Sequence, residues 1–224
     1  MSCLLLFYFL QHDYRASVSL FIFFLLGLFI YQIGSTFVYG LITSQEMKVL
    51  ISRSFLFFIL IGMILSLKIS KQKIDLPLKL PNLHTHITMP FHQLKVGIFL
   101  LFGLIGSSMI LIPVLFQETS AIRSLFLFGV MFAVINATLE EVIWRGVMLS
   151  SLKRNVSTLY AVVITSVGFG LIHLSIGIPV MLSLLFSFGG LFYAIVVLKS
   201  KSLYPAIVFH MIMNVGMVYN GWII

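Results

Sequence analysis

Apolar residues fall along this chain in long runs broken by short polar connections, and seven of the runs, the fifth of them short, predict membrane-spanning helices. They are Ala16–Leu41, Val49–Leu67, Val96–Phe116, Leu125–Leu149, Leu159–Leu174, Val180–Leu198 and Leu203–Ile224. An α-helix rises 1.5 Å per residue, so about 20 apolar residues cross the ~30 Å hydrocarbon core. Residues 1–15 read as an interfacial lead-in, with Asp13 and Arg15 marking the water side. Arg53, near the start of the second run, is expected to snorkel to the interface. Residues 68–95 form the one sizeable extramembrane segment; Pro77, Pro81, Pro90, His84, His86 and His92 leave it without a helical period. The fifth run stops at the breaker cluster Ser175-Ile176-Gly177-Ile178-Pro179, and the seventh opens at Tyr204-Pro205, where proline suits a first turn. The pattern predicts an all-α, polytopic membrane helix bundle of about seven transmembrane helices.

Composition removes the soluble alternative. Hydrophobic residues make up 60% of the chain and charged ones 9%, and mean hydropathy is +1.14. The net charge of +8 does not point to nucleic acid, because the basic residues are scattered between apolar runs. A lipid bilayer with an anionic inner surface is the simpler partner. Cys3 is the only cysteine, which excludes a disulfide framework or a thiolate metal site within one chain. The run Cys3–Leu10 lacks the basic lead and small-residue cleavage site of a signal peptide. Alternate loops sort the cations: Arg15, the five lysines of 68–95, Lys153, Arg154, Lys199 and Lys201 fall on one side. Lys48 and Arg123 fall on the other, with Arg53 at its border. That asymmetry predicts a multi-pass cell-membrane protein with its N-terminus cytoplasmic and its C-terminus outside.

Against this apolar background, Glu140-Glu141-Val142-Ile143-Trp144-Arg145 stands out. A charge at mid-membrane costs roughly 2.5–3.5 kcal/mol on insertion scales. Two adjacent carboxylates therefore call for a chemical reason. Glu141 and Arg145, four apart, share a helix face and are expected to pair, which makes them site-shaping. Glu140 lies about 100° round the helix and must point elsewhere. Phe169 and His173, and His210 and Asn214, each stack one turn apart on later spans. From span ends, Glu140 lies ~13 Å and His210 ~10 Å in, but His173 ~21 Å. The fifth span must shift or tilt for His173 to join the others. Phe169 reads as packing; Gly168, Gly170, Gly189 and Gly190 as sites of close helix approach; Tyr193 and Tyr204 as interfacial aromatics; the loop histidines as solvated.

Glu140-Glu141-x-x-x-Arg145, Phe169-x-x-x-His173 and His210-x-x-x-Asn214, in this order on successive spans, resemble the CPBP family: type II CAAX prenyl proteases and bacteriocin-processing or Abi-type membrane proteins. The resemblance covers roughly residues 95–220. It divides the chain into 1–95, an N-terminal two-helix membrane segment with a basic cytoplasmic loop, and 96–224, a CPBP-like catalytic helix bundle. It implies an intramembrane endopeptidase that opens toward the cytoplasm and acts on a peptide or membrane-associated protein. Glu140 would be the general base activating a water held by His173, with His210 and Asn214 donating to the oxyanion. A metal-dependent scheme is also open, in which Glu140, His173 and His210 ligate zinc and leave one position for water. Asn214 beside His210 favours the metal-free scheme, because an amide is a poor zinc ligand and a good oxyanion donor. A non-catalytic immunity or scaffold protein binding a bacteriocin or partner is the runner-up, and a proton or ion transporter the third reading.

Overall fold

The computed structural model describes residues 14–88 and 93–224. Most of the expected lead-in (1–13, with Cys3) and His92 lie outside the described residues. The chain is a helical membrane bundle. Its long elements are α1 (Arg15–Leu41), α2 (Gln45–Ser54), α3 (Leu56–Ile69), α4 (Val96–Ser108), α5 (Thr119–Glu141), α6 (Thr158–Leu171), α7 (Val180–Ser200) and α8 (Tyr204–Tyr219). Six helical stretches are long and apolar enough to cross a membrane: Arg15–Leu41, Gln45–Ile69, Val96–Phe116, Ile122–Leu152, Thr158–Ile176 and Val180–Ser200. The seventh, Tyr204–Tyr219, is a shorter apolar helix. The expected run to Ile224 ends early because Asn220 turns its amide onto the Gly216 and Ile110 carbonyls, at 2.8 and 3.1 Å, and Gly221 takes φ +70°. Trp222 and Ile223 then fold back over the bundle end.

Three departures from the sequence pattern position the site. The second span is interrupted at Phe55, between α2 and α3, where Ser54 Oγ donates back to the Leu50 carbonyl at 3.0 Å, a contact that bends helices. After Glu141, the chain continues as a π-helix over Val142–Leu149 and closes with Ser150–Leu152. This wider i→i+5 winding is rare and tends to occur at functional sites. The extramembrane segment holds an antiparallel pair, β1 (His86–Thr88) and β2 (Gln93–Lys95), with Ile87 opposite Leu94. Strands of three residues are too short for an alternation to register in sequence.

Hydrogen bonds define the two ends. At one, Asn155 Nδ2 donates to Ser17 Oγ (2.6 Å), Arg154 to Gln72 Oε1 (3.2 Å), the Leu203 N–H to the Pro77 carbonyl (2.8 Å) and Lys199 Nζ to the Thr88 carbonyl (3.3 Å). This is the lysine-rich end, and segment 72–88 folds under it. At the other, Gln32 Nε2 donates to the Ser175 carbonyl (3.3 Å) and Gln117 Nε2 to the Tyr219 carbonyl (2.7 Å). The core is continuous between them: Leu20 and Phe24 of α1 and Ile59 and Met63 of α3 share one buried cluster with Trp144, Phe169 and Ala206. Close approaches rest on small residues. A side chain at Gly27 would meet the Ile59 backbone at 2.6 Å, and Ser19 and Ser66 pair hydroxyls at 2.9 Å. Phe102, Leu115, Phe116, Leu159 and Met181 cover the outward faces.

Candidate active site

The two adjacent glutamates take up different partners. Glu141 is fully buried; its Oε1 accepts from Arg145 Nη1 at 2.8 Å and from His210 Nδ1–H at 2.9 Å. Arg145 completes its fork by donating Nη2 to the Gly190 carbonyl at 2.9 Å. Its guanidinium lies 4.4 Å from the Phe169 ring centre and 5.3 Å from that of Tyr193, within cation–π range. The expected Glu141–Arg145 pair is thus present, and it also grips the His210 ring. Phe169 packs as expected.

Glu140 turns the other way. Its Oε1 lies 3.7 Å from Arg53 Nη1, and its Oε2 lies 3.6 Å from His210 Nε2 without a hydrogen-bond partner. Arg53 therefore does not snorkel. The interruption after Ser54 lets the end of α2 lean against α5, so the guanidinium points inward, its side chain 15% exposed. Sequence position alone favours the interface for an arginine near a helix end, and only tertiary packing overrides that.

His173 sits on a 3₁₀ turn, Ile172–Ile176, that follows α6. Its Nδ1 is 2.8 Å from the Phe169 carbonyl, and since a carbonyl only accepts, Nδ1 carries the hydrogen. Nε2 is left as the free ring nitrogen. The depth mismatch from the sequence resolves through boundaries. The motif helix runs on to Leu152, which puts Glu140 up to about 18 Å from that end. Helix α8 starts inside the bundle, with Ser202, Leu203 and Ala206 fully buried, so His210 lies deeper than its residue count suggests.

His173, His210 and Asn214 line one cavity of about 400 Å³. Glu140 and His173 share a pocket of about 10 Å³ with Arg53, the room of about one water. Three further residues belong to the site. Asn136, one turn before Glu140, is 4% exposed and lines the larger cavity, where its Oδ1 and Asn214 Nδ2 have no partner within the chain. An asparagine in an apolar run, four residues from the motif, was the available signal. Tyr193 is not interfacial: it is buried and stacks on His210 with ring centres 4.9 Å apart and planes 15° from parallel. Arg53 is the third.

The glycines divide similarly. A side chain at Gly170 would collide with Ser183 and Ser187, and one at Gly190 would meet the Ser166 carbonyl at 2.9 Å, so both permit the α6–α7 approach. Gly168 abuts the Trp144 ring, whereas Gly189 faces open space and forms cavity wall.

The cavity wall extends to Ile176, Ile178, Trp222 and Ile223, at the lysine-poor end. The resemblance implies a site opening toward the cytoplasm. Were the basic loops cytoplasmic, this cavity would reach the opposite face. Among the described residues, no group of three or more His, Cys, Asp or Glu side chains is placed to hold a metal ion. Glu140 Oε1 faces the Arg53 guanidinium, whereas its Oε2 lies 3.6 Å from His210 Nε2 with no hydrogen-bond partner.

Residues 122–216, which carry Asn136 through Asn214, match the family model described as Type II CAAX prenyl endopeptidase Rce1-like. This segment is similar to that family, and the match agrees with the resemblance to CPBP family intramembrane proteases. Comparison with curated proteins and with solved structures gives no match. Of the charged residues of the site, Arg53 lies outside the matched segment.

Proposed function

We propose that this protein is an intramembrane endopeptidase in which Glu140 activates a water for attack on a peptide bond. The observation that carries this reading is the water-sized pocket bounded by Glu140, His173 and Arg53, next to a mainly apolar cavity, with His173, His210 and Asn214 in its wall, large enough for an extended peptide segment. The water hydrogen-bonds to Glu140 and to His173 Nε2. It attacks the scissile carbonyl carbon as its proton passes to the Glu140 carboxylate. The oxygen that gains charge is stabilised by the Asn214 amide, with His210 beside it, and Glu140 returns the proton to the departing amine. The Glu141 bond to Nδ1 fixes the His210 ring, so Nε2 is the edge it presents, and that nitrogen donates to the oxyanion only when the ring is protonated. Apolar walls such as Leu185 and Phe186 keep the reaction poorly hydrated, which strengthens each dipole aimed at the reacting atoms.

The substrate class is a peptide or a membrane-associated protein, as in bacteriocin or pheromone maturation, self-immunity or CAAX-type processing. The lysine-rich end faces the cytoplasm, giving an inward N-terminus and an outward C-terminus. The alternative, a non-catalytic immunity or scaffold role, keeps its effect without Glu140. Comparing the peptides of cells carrying wild type with those carrying Glu140→Ala separates the two. A precursor that accumulates uncleaved only in the variant supports the peptidase. Identical peptide profiles, with partner protection retained in the variant, overturn it.

A further inference from the structure

Arg53 lies on the wall of three cavities at once: the water-sized pocket of Glu140, the larger cavity, and a neighbouring vestibule of about 450 Å³. The vestibule lies at the lysine-poor end between α1, α2, the Ser175–Ile178 turn and the returning C-terminus. Among the described residues, no Asp or Glu lines it, and the acidic partner of Arg53 is Glu140 in the adjoining water-sized pocket. Its contact with Glu140 is long, 3.7 Å against 2.8 Å for Arg145–Glu141, and leaves most of the guanidinium fork uncommitted. Beside it, Ser52 is 4% exposed and its Oγ has no partner; Ser35 Oγ, across the vestibule on α1, has none either. Two orphaned hydroxyls and a guanidinium are donors awaiting an acceptor. A carboxylate, which only accepts, matches the planar fork of Arg53 and is an acceptor for hydroxyls in the same wall.

We propose that Arg53, Ser52 and Ser35 form a subsite for a carboxylate of the peptide substrate, at the entrance to the candidate active site. The proposal rests on the peptidase reading for the identity of the ligand as a peptide. The carboxylate is either the chain terminus or an acidic side chain. Because Arg53 touches Glu140, a bound carboxylate also draws the guanidinium off the base and couples substrate occupancy to the freeing of Glu140.

The test is binding, not turnover, in a His173→Ala background that leaves the Arg53–Glu140 contact in place. A fluorescein-labelled apolar hexapeptide is titrated by anisotropy against the full chain in detergent, in three forms. One has a free C-terminal carboxylate, one a C-terminal amide, and one is the amide with glutamate as its last residue. Binding of the free acid roughly tenfold or more tighter than the neutral amide is expected, the scale of charge-assisted hydrogen bonds. Arg53→Gln removes that preference, Arg53→Lys keeps part of it, and Ser52→Ala reduces it about threefold, the scale of one neutral hydrogen bond. If Arg53→Gln does not fold, the lysine and Ser52→Ala variants carry the comparison. Tight binding of the glutamate amide identifies a side-chain carboxylate as the source; weak binding identifies the terminus. Equal affinity for acid and neutral amide, or a preference unchanged across the foldable variants, overturns the subsite. Acid preference without cleavage by the wild type overturns the peptidase reading alone, and cleavage without acid preference overturns the subsite alone.

Discussion

Glu140 and Glu141 are neighbours in sequence and opposites in environment. Glu141 is clamped by two short bonds, from Arg145 and His210, under a lid of Phe169 and Tyr193. Glu140 has an imidazole nitrogen and a guanidinium nitrogen near it at 3.6 and 3.7 Å and room for about one water; each glutamate leaves its Oε2 without a hydrogen bond, so the difference lies in the short bonds to Glu141 and the space beside Glu140. A buried carboxylate held at ideal distances is a structural anchor; one held loosely beside space can change partners during a reaction. The molecule separates holding from acting by a single residue step on one helix, because a 100° rotation sends adjacent side chains to different walls.

The contrast can be broken from either side. The largest effect is expected from Glu141→Ala, which strands the buried Arg145 guanidinium. Removing one partner of a buried pair costs about 3–5 kcal/mol. Thermal unfolding in detergent should show a drop of many degrees together with loss of activity; an unshifted midpoint would mean that Glu141 is no anchor. Next, Asn214→Ala should lower cleavage by roughly 100- to 1,000-fold, the scale of one oxyanion donor, with the unfolding midpoint little changed. A proportionate fall in stability would assign Asn214 to packing instead. The smallest effect belongs to Tyr193→Phe. The ring stacked on His210 remains, so cleavage should stay within about threefold of wild type, less than one neutral hydrogen bond. A larger loss would bring the Tyr193 hydroxyl into the chemistry.

Much of this arrangement is legible in sequence, for identifiable reasons. Four-residue spacing on a helix is a local rule, so Glu141–Arg145, Phe169–His173 and His210–Asn214 can be paired without coordinates. The bundle follows from run lengths, and the sorting of cations to two ends follows from alternating connections. What escaped depends on packing between elements. Arg53 reaches Glu140 only because α2 stops at Ser54 and leans inward, and a single cation near a helix end carries no mark of that. Tyr193 looks like any aromatic near a helix end until α7 is placed against α8. Asn136 was within reach: its spacing to Glu140 is the same four residues that flagged the other pairs. The reach of the cavity toward the lysine-poor end depends on the chain turning back after Asn220, which a run of apolar residues to Ile224 conceals.

The most direct test of the division between holding and acting puts Glu140→Gln and Glu141→Gln side by side, purified in the same detergent, with cleavage rate and unfolding midpoint read on each. A glutamine keeps size and polarity but is no base. The account predicts that Glu140→Gln loses about 100- to 10,000-fold in cleavage while its midpoint stays near wild type, and that Glu141→Gln loses stability first. Full turnover by Glu140→Gln would contradict it.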